Sequence, residues 1–234
     1  MEIAFAAALA GCGGVQIKPE PVIPKALIEP LPAAVGLVVA GDMRNFKHAE
    51  TRWGTEWKID LGGGHARLVA DMFKAAFRNV KEFSELESAK AGADLKAIFE
   101  PRIEQYSFAT ARETGGRYYA VTLRYRINMY TPQGELADSF TLTGYGNALA
   151  KGLSSSKPLE QASVSAMRDA AAKFLVQFPT QAAGQRLARN EPVVVEQKAT
   201  ASTDPASIEA VPVEEATDAT PAPSATPPSP TPLG

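Results

Sequence analysis

The chain has 234 residues, of which 45% are hydrophobic and 21% are charged, and its formal net charge is −2. This charge and the lack of a long basic run give little support to nucleic-acid binding. Because the chain has one cysteine, it cannot form an intramolecular disulfide or a cysteine-based metal site. No apolar run is long enough to predict a helix that spans a bilayer.

The first predicted element is an apolar run from Ile3 that closes on small residues and on the single cysteine, as Leu9-Ala10-Gly11-Cys12. A short apolar segment that ends in small residues is typical of a secretory signal. With a cysteine directly after it, the stretch resembles the lipobox of bacterial lipoproteins. The alternative interpretation is a chance cysteine in an apolar leader, or a small buried residue.

The resemblance implies that residues 1–11 are a signal that is removed, that the Cys12 thiol takes a diacylglycerol, and that the new amino terminus is acylated. Each buried CH₂ of such chains contributes about 0.8 kcal/mol to membrane attachment. The residue after Cys12 is Gly13, whereas an aspartate there retains Gram-negative lipoproteins in the inner membrane. The resemblance therefore implies attachment to the outer membrane, on its periplasmic side.

Composition divides the rest of the chain into three parts. Residues 12–32 include the Pro-rich stretch from Lys18 to Pro32 and are predicted to form the lipid anchor and a semi-stiff tether. Residues 33–183 are predicted to form one domain. Residues 184–234 are predicted to form a disordered tail, because their Ala, Pro and Thr residues bury too little apolar surface to offset the loss of backbone entropy.

The first half of the domain is predicted to contain a strand, a long connection and a helix. The apolar segment 34–40 predicts a strand that is covered on both faces or central in a sheet. The mostly polar segment 41–64 predicts a connection with one short strand at 57–61, which the glycines at 62–64 join to the helix. The helix is predicted from apolar residues at helical spacing: Leu68, Val69, Met72, Phe73, Ala76, Phe77 and Val80.

The second half is predicted to contain strands and then a final helix. A brief strand at 80–83 precedes a polar loop, and the alternation from Leu95 to Gln105 crosses Pro101, which predicts an edge strand, a bulge or a break. Alternation over 119–129 and 136–144, with turn residues at 131–135, predicts an antiparallel hairpin. The last helix is predicted to begin near Pro158, with N-cap oxygens from the serines at 154–156, and to end at Pro179.

These elements together predict an α+β fold. Two helices with one apolar face each, and a sheet with one apolar face, are all buried if both helices cover the same side of the sheet. We therefore predict a two-layer α/β sandwich with a mainly antiparallel sheet. Two amphipathic helices lie on one face, and the C-terminal tail is disordered.

No arrangement of residues predicts catalysis. His48 and His65 have no nearby cysteine or His-x-Glu arrangement, so they are interpreted as solvated or capping histidines rather than metal ligands. The glycines at 62–64 lack the Gly-Lys-Ser/Thr continuation of a phosphate-binding loop. Four glutamates are interpreted as ordinary surface charge: Glu85, Glu87, Glu100 and Glu104. We therefore expect no enzyme activity, no cofactor and no metal.

The polar side of the predicted hairpin is the candidate partner-binding surface. Arginine offers a planar donor fork and tyrosine a rigid amphipathic surface, whereas the alternative is an ordinary solvated sheet face. The residues predicted to point away from the helices are Tyr118, Thr122, Arg124, Arg126, Asn128 and Tyr130, with Thr141 and Thr143 beside them. Trp53 and Trp57 are a second candidate, either packed against the core or exposed as interface anchors.

The lipobox and the order strand, helix, strands, helix loosely resemble periplasmic lipoproteins of envelope assembly. These include the small partner of the lipopolysaccharide transport barrel, the curli secretion lipoprotein and the amino-terminal domain of the Tol-associated propeller protein. The resemblance implies a non-enzymatic accessory or structural component of an envelope complex, with a protein partner. The alternatives are a direct binder of lipopolysaccharide or another anionic glycolipid, and an envelope hydrolase.

Overall fold

The computed structural model describes residues 14–24, 27–90, 92, 94–150 and 154–195. The predicted lipobox and the Pro-rich end of the predicted tail lie outside the described residues. The helices and strands, in chain order, are β1 (Val15–Ile17), β2 (Leu31–Val38), α1 (Gly41–Arg44), β3 (Lys47–Arg52), β4 (Thr55–Asp60), α2 (Gly62–Ala76), β5 (Phe77–Phe83), α3 (Leu86–Lys90), β6 (Ala97–Ala109), β7 (Tyr118–Tyr130), β8 (Leu136–Leu149), α4 (Ser156–Gln177), a 3₁₀ turn (Phe178–Thr180) and α5 (Ala182–Ala188).

The main sheet has five strands in the order β5-β2-β6-β7-β8. Strand β2 runs parallel to both of its neighbours, whereas β6, β7 and β8 are antiparallel. Helices α2 and α4 cover the same face, because Leu68 of α2 and Ala171 of α4 line one small apolar cavity together with Tyr125 and Leu142 of the sheet. The predicted α+β class is confirmed, with both predicted helices on one side of the sheet.

A second sheet, of three strands in the order β1-β4-β3, occupies the region predicted as tether and connection. Strands β3 and β4 form a hairpin whose two turn residues, Trp53 and Gly54, have φ angles of 52° and 76°. Positive φ at both positions is the geometry of a type I′ turn, whose twist matches the strands. Strand β1 adds to this hairpin in parallel, with Val15 opposite Trp57.

Within the segment predicted as a tether, the residues around Ile17 and Pro19 pack on the domain. Ile17 is in the core, and a Cβ on Gly64 of α2 would lie 2.2 Å from the carbonyl oxygen of Pro19. A Cβ on Gly62 would lie 2.0 Å from the carbonyl oxygen of Arg44. These two glycines lie within α2 and allow two backbones to approach it, which corrects their interpretation as a flexible entry to the helix.

Helix α2 ends earlier than its apolar periodicity predicts. The backbone turns extended at Phe77, with φ of −132° and ψ of 144°, and β5 begins there. Phe77 is nevertheless buried and stacks on Phe73 at 5.9 Å. The helical pattern up to Val80 therefore spans two elements, because the last apolar residues contact the core from the start of a strand.

Strand β6 continues through Pro101 but is an interior strand only as far as Phe99. Pro101 lies opposite Ile127 of β7 and beyond Phe99, the last residue of β6 that pairs with β2. A bulge follows between Ile103 and Gln105. Pro101 therefore lies where β6 has no partner on its β2 side, which is a local edge position as predicted, whereas the predicted break is wrong and the bulge lies farther along the strand.

Helix α4 packs closely on β8. A Cβ on Gly144 would lie 2.0 Å from the carbonyl oxygen of Ala166, and one on Gly146 would lie 2.1 Å from that of Ala162. Alanines on the helix and glycines on the strand bring the two backbones together. Ser155 is the N-cap residue of α4, but no side-chain hydrogen bond caps the helix there.

The folded part of the chain continues beyond the predicted domain end at residue 183. Leu187 of α5 is buried, and so is Val193, whose backbone N–H donates to the carbonyl of Lys96 at 2.9 Å. Two buried apolar side chains and a backbone hydrogen bond thus hold residues 184–195 on the domain. These residues were predicted to belong to the tail.

Candidate interaction face

We define the polar face as the surface of β6, β7 and β8 on the side of the main sheet opposite α2 and α4. Along β7 the odd residues from Tyr119 to Met129 are buried and the even residues point to the polar face. The side chains of this face come from three strands: Glu100, Arg102 and Glu104 from β6, Arg124, Arg126, Asn128 and Tyr130 from β7, and Ser139, Thr141 and Thr143 from β8.

Glu100 is the buried carboxylate of the polar face, with 5% of its surface exposed. One oxygen accepts a hydrogen bond from Arg102 Nη2 at 2.7 Å, and the other accepts from the Tyr130 hydroxyl at 2.8 Å and from Asn128 Nδ2 at 3.3 Å. Its interpretation as ordinary surface charge is therefore wrong. Glu100 lies opposite Asn128 in the β6–β7 ladder, and the three donor side chains cover its carboxylate.

The ionisation of Glu100 follows from these contacts. Burial alone would raise the pKa of Glu100, but the hydrogen bonds from Arg102, Tyr130 and Asn128 outweigh it and hold that pKa below its ordinary value. Burial and the hydrogen bond to Glu100 raise the pKa of Tyr130. Glu100 therefore remains an anion and Tyr130 a neutral donor near neutral pH.

Glu104 holds the two arginines at the centre of β7. Arg126 Nε donates a short hydrogen bond to Glu104 Oε1, and Arg124 Nε lies 3.4 Å from Glu104 Oε2. The bulge between Ile103 and Gln105 allows this carboxylate to reach both guanidinium groups. The side chains of Arg124 and Arg126 remain 47% and 46% exposed, so the polar face presents two oriented arginines to solvent.

Polar contacts extend the network to β8 and towards α1. The Ser139 hydroxyl donates to Asn128 Oδ1 at 2.9 Å, and Arg102 lies 3.8 Å from Asp42 of α1. A depression of about 430 Å³ lies between α1 and β6, lined by Asp42, Met43, Phe46, Arg102, Ile103, Glu104 and Arg126. The three arginines of the face thus have carboxylate partners in Glu100, Glu104 and Asp42.

The two tryptophans, predicted together, lie in different environments. Trp57 is 5% exposed and packs in the core, 5.1 Å from Phe108 between ring centroids. Trp53 is 62% exposed at the β3–β4 turn, and the guanidinium carbon of Arg112 lies 4.3 Å from its ring centroid. The prediction of Trp57 as a partner-binding residue is therefore corrected, because its side chain is buried in the core.

Tyr118 lies apart from the other predicted residues of β7. It is the first residue of the strand, beside the β6–β7 loop, where its backbone carbonyl accepts a hydrogen bond of 2.5 Å from the Thr114 hydroxyl. Arg124, Arg126, Asn128 and Tyr130 are brought together in one network on the polar face. The predicted set thus divides between this network and the end of the domain that carries Trp53.

The histidines differ from their interpretation as solvated or capping residues. His65 is fully buried on α2, where its Nδ1 lies 2.7 Å from the carbonyl oxygen of Leu61. Burial lowers the pKa of His65 to about 4, so the imidazole is neutral at neutral pH. His48 of β3 is partly buried, with Nε2 3.4 Å from Glu50. Within the described ranges, no three His, Cys, Asp or Glu side chains form a group that could hold a metal ion.

Comparisons with known proteins give likeness in structure only. No family model and no curated protein sequence matches the chain. Among solved structures, a candidate neuraminyllactose-binding hemagglutinin homologue from Helicobacter pylori has a TM-score of 0.44 and 8% identity, over 73% of this chain and 97% of that chain.

Two further solved structures are described as lipoproteins. A candidate lipoprotein from Caulobacter crescentus has a TM-score of 0.34 and 8% identity, over 55% of this chain and 80% of that chain. Lipoprotein GNA1162 from Neisseria meningitidis has a TM-score of 0.29 and 10% identity, over 53% of this chain and 88% of that chain. These TM-scores are all below 0.5, so the likenesses assign no function to the chain. Among the described residues, no helix is long and apolar enough to cross a bilayer.

Proposed function

We propose that this chain is a non-enzymatic lipoprotein, anchored through Cys12 to the periplasmic side of the outer membrane, that binds a protein partner of an envelope complex through its polar face. The lipobox sequence supports the anchor. The observation that carries the binding function is the pair Arg124 and Arg126, half exposed yet fixed by one carboxylate, Glu104. Arginines that are oriented before binding lose less conformational entropy when they meet a partner.

The chemistry of the face favours a partner with mixed polar groups. Each of its three arginines lies within 4.0 Å of a carboxylate, so the formal charges of Arg102, Arg124 and Arg126 are balanced by Glu100, Glu104 and Asp42. An anionic glycolipid would have to compete with these carboxylates, whereas a protein surface can offer both donors and acceptors. Direct binding of lipopolysaccharide is therefore the weaker alternative.

The positions of the groups that could act in catalysis support a binding role. Both oxygens of Glu100 accept hydrogen bonds from neighbouring side chains, which leaves this carboxylate poorly placed to abstract a proton from a substrate. His65 is sealed in the core with 0% of its surface exposed. The proposal therefore assigns the polar side chains of this face to recognition.

Site-specific photocrosslinking in the native host tests the proposal. A photoreactive residue at Arg124 or at Thr141, both exposed on the polar face, is expected to trap a protein that mass spectrometry can identify. The same residue at Val176, exposed on α4, is the matched control. A partner trapped from the polar face and not from α4 supports the proposal, and the same products from both surfaces, or none from either, contradict it.

A further inference from the structure

The position of β1 shows at which end of the domain the described part of the chain begins. Val15 lies opposite Trp57, and β1 runs parallel to β4. Gly14 lies against the start of β4, because a Cβ on it would approach the carbonyl oxygen of Glu56 to 2.7 Å. Followed backwards, both strands therefore lead to the turn at Trp53 and Gly54.

Covalent geometry then limits the distance between the anchor and this end of the domain. Consecutive Cα atoms are about 3.8 Å apart, so the Cα of Cys12 is no more than about 7.6 Å from that of Gly14. An acyl group on Cys12 would hold the β3–β4 turn close to the lipid surface. With such an acyl group, the turn would be the part of the domain nearest to the membrane.

Trp53 is the unusual residue of this turn. Its backbone has a φ of 52°, a conformation that bulky side chains rarely adopt and that asparagine or glycine normally supplies in a type I′ turn. Its indole is 62% exposed and contacts the guanidinium of Arg112. An exposed indole beside a cation has the amphipathic character that places tryptophan at membrane–water interfaces.

The β6–β7 loop lies at the same end and adds cations. Arg52 Nη1, next to the turn, donates to the Phe108 carbonyl at 2.6 Å and lies 3.1 Å from Glu113 of the loop. Arg112 and Arg117 of this loop are exposed and form no ion pair among the residues that the structure describes. Cations at a membrane-facing surface attract the phosphates of anionic lipids.

Two more exposed apolar or aromatic side chains complete this surface. Tyr118 and Leu149 are exposed and lie opposite each other where β7 begins and β8 ends. We define the rim as Trp53, Arg112, Arg117, Tyr118 and Leu149. Aromatic and apolar side chains beside two arginines that form no ion pair among the described residues match the chemistry of a bilayer interface with anionic headgroups.

We propose that the rim lies in the headgroup region of the membrane and orients the domain on it, an inference that rests on the proposed lipid attachment at Cys12. The acyl chains supply the attachment, and the rim selects one orientation. Tyr130 lies twelve positions after Tyr118 along β7, a distance of about 40 Å at about 3.3 Å per residue. The polar face around Asn128 and Tyr130 therefore projects away from the membrane, where a partner can reach it.

Because Cys12 is the single cysteine, a thiol-reactive phospholipid can attach the processed chain, residues 12–234, to vesicles at that position without cellular lipidation. The chain has two tryptophans, so Trp57→Phe leaves Trp53 as the sole fluorophore and Trp53→Phe leaves Trp57. Both variants are coupled to vesicles of phosphatidylethanolamine and phosphatidylglycerol that contain brominated lipids, which quench nearby indoles. Thermal melting confirms that both variants are folded.

We expect Trp53 emission to shift to the blue and to lose most of its intensity to brominated lipid, while Trp57 emission changes little. Replacing Arg112 and Arg117 together by serine is expected to reduce the Trp53 quenching. Equal quenching of the two tryptophans, or none for Trp53, in protein that floats with the vesicles overturns the orientation. Mass spectrometry of Cys12 from the native host tests the attachment separately, so its failure is distinguishable from that of the rim.

Discussion

The hydroxyl of Tyr130, at the end of β7, donates a 2.8 Å hydrogen bond to the buried carboxylate of Glu100 on β6. This bond belongs to the network that fixes the polar face, and it joins that face to the small apolar cluster under α3, against which Tyr130 packs. The polar face is thus connected to the packing of the domain, and the ionised carboxylate of Glu100 positions Arg102, Asn128 and Tyr130.

Replacing that carboxylate should therefore destabilise the protein. Glu100→Gln leaves Arg102 without its closest anionic partner and turns one acceptor into a donor, so we expect a loss of about 1–3 kcal/mol in the free energy of unfolding. The control is Glu87→Gln, because Glu87 pairs with Lys90 at the surface and should change stability by less than about 0.5 kcal/mol. Urea unfolding of the three proteins at pH 7 measures both effects.

The same substitution predicts a change in acid sensitivity. The pKa of folded Glu100 lies below its ordinary value, so its stabilising contribution is present above the unfolded pKa and is lost as the pH falls through the folded pKa. In the Glu100→Gln variant, the free energy of unfolding should therefore decrease less as the pH falls. Unfolding curves between pH 6 and about pH 3 compare the two slopes, and identical slopes would refute the assignment of Glu100 as an ionised, hydrogen-bonded group.

His65 predicts a second pH effect at higher pH. Its pKa falls from 6.5 to about 4 on folding, so the fold accommodates the neutral imidazole and stability is full above about pH 6.5. As the pH falls towards 4, His65 is protonated in the unfolded chain before it is protonated in the folded one. This difference lowers the free energy of unfolding by about 3 kcal/mol. His65→Gln, which keeps a donor for the Leu61 carbonyl, should remove this dependence between pH 7 and about pH 5. Urea titrations of both proteins measure it, and parallel curves would be contrary evidence.

The contact between β8 and α4 makes a prediction about packing. Gly144→Ala would place a Cβ 2.0 Å from the Ala166 carbonyl oxygen, so α4 must move, and we expect a loss of about 1–3 kcal/mol or more. Gly63→Ala is the matched control, because the nearest atom to its Cβ is the Lys18 Cε at 3.9 Å and alanine favours a helix by up to about 1 kcal/mol. In thermal unfolding, Gly144→Ala should have a lower melting temperature than the unmodified protein, and Gly63→Ala should not.

Strand β8 is an edge of the main sheet, and α4 protects its backbone. The Tyr145 N–H donates to Asp169 Oδ2 at 2.8 Å, and Lys173 Nζ donates to the Thr143 carbonyl at 2.8 Å. Asp169→Ala with Lys173→Ala exposes these groups, and free edges pair with other chains. We therefore expect self-association in size-exclusion chromatography with light scattering. The matched control replaces Arg189 and Glu191, which form a surface ion pair, by alanine and should leave the oligomeric state unchanged. If both double variants are monomeric, α4 does not protect this edge.

Local patterns in the sequence predict the hairpin of the main sheet and its polar side. The alternation from Tyr119 to Met129 places Arg124, Arg126 and Asn128 on one face before any partner strand is known. The carboxylates that orient these side chains are not predictable in this way. Their placement depends on the register of β6 against β7 and on the bulge after Ile103, which are set by contacts distant in sequence.

For some single residues, the sequence pattern indicates burial in the core but also allows another interpretation. His65 precedes Leu68, Val69 and Met72 at helical spacing, so the helical pattern already placed it on the buried side. Trp57 shares a face with Ile59 in an alternating segment, which indicates the core, whereas the turn residue Trp53 belongs to no such pattern. The second sheet carries little sequence signal, because β1 has three residues and its pairing with β4 is non-local.

Mass spectrometry of the amino-terminal peptide from protein purified from its native host is the most direct test of the account. The proposed function predicts a peptide that begins at Cys12 and carries a diacylglycerol on sulfur and an acyl chain on the amino group. A peptide that retains residues 1–11 and an unmodified Cys12 thiol would contradict the membrane anchor, and with it the function and the orientation proposed for this protein.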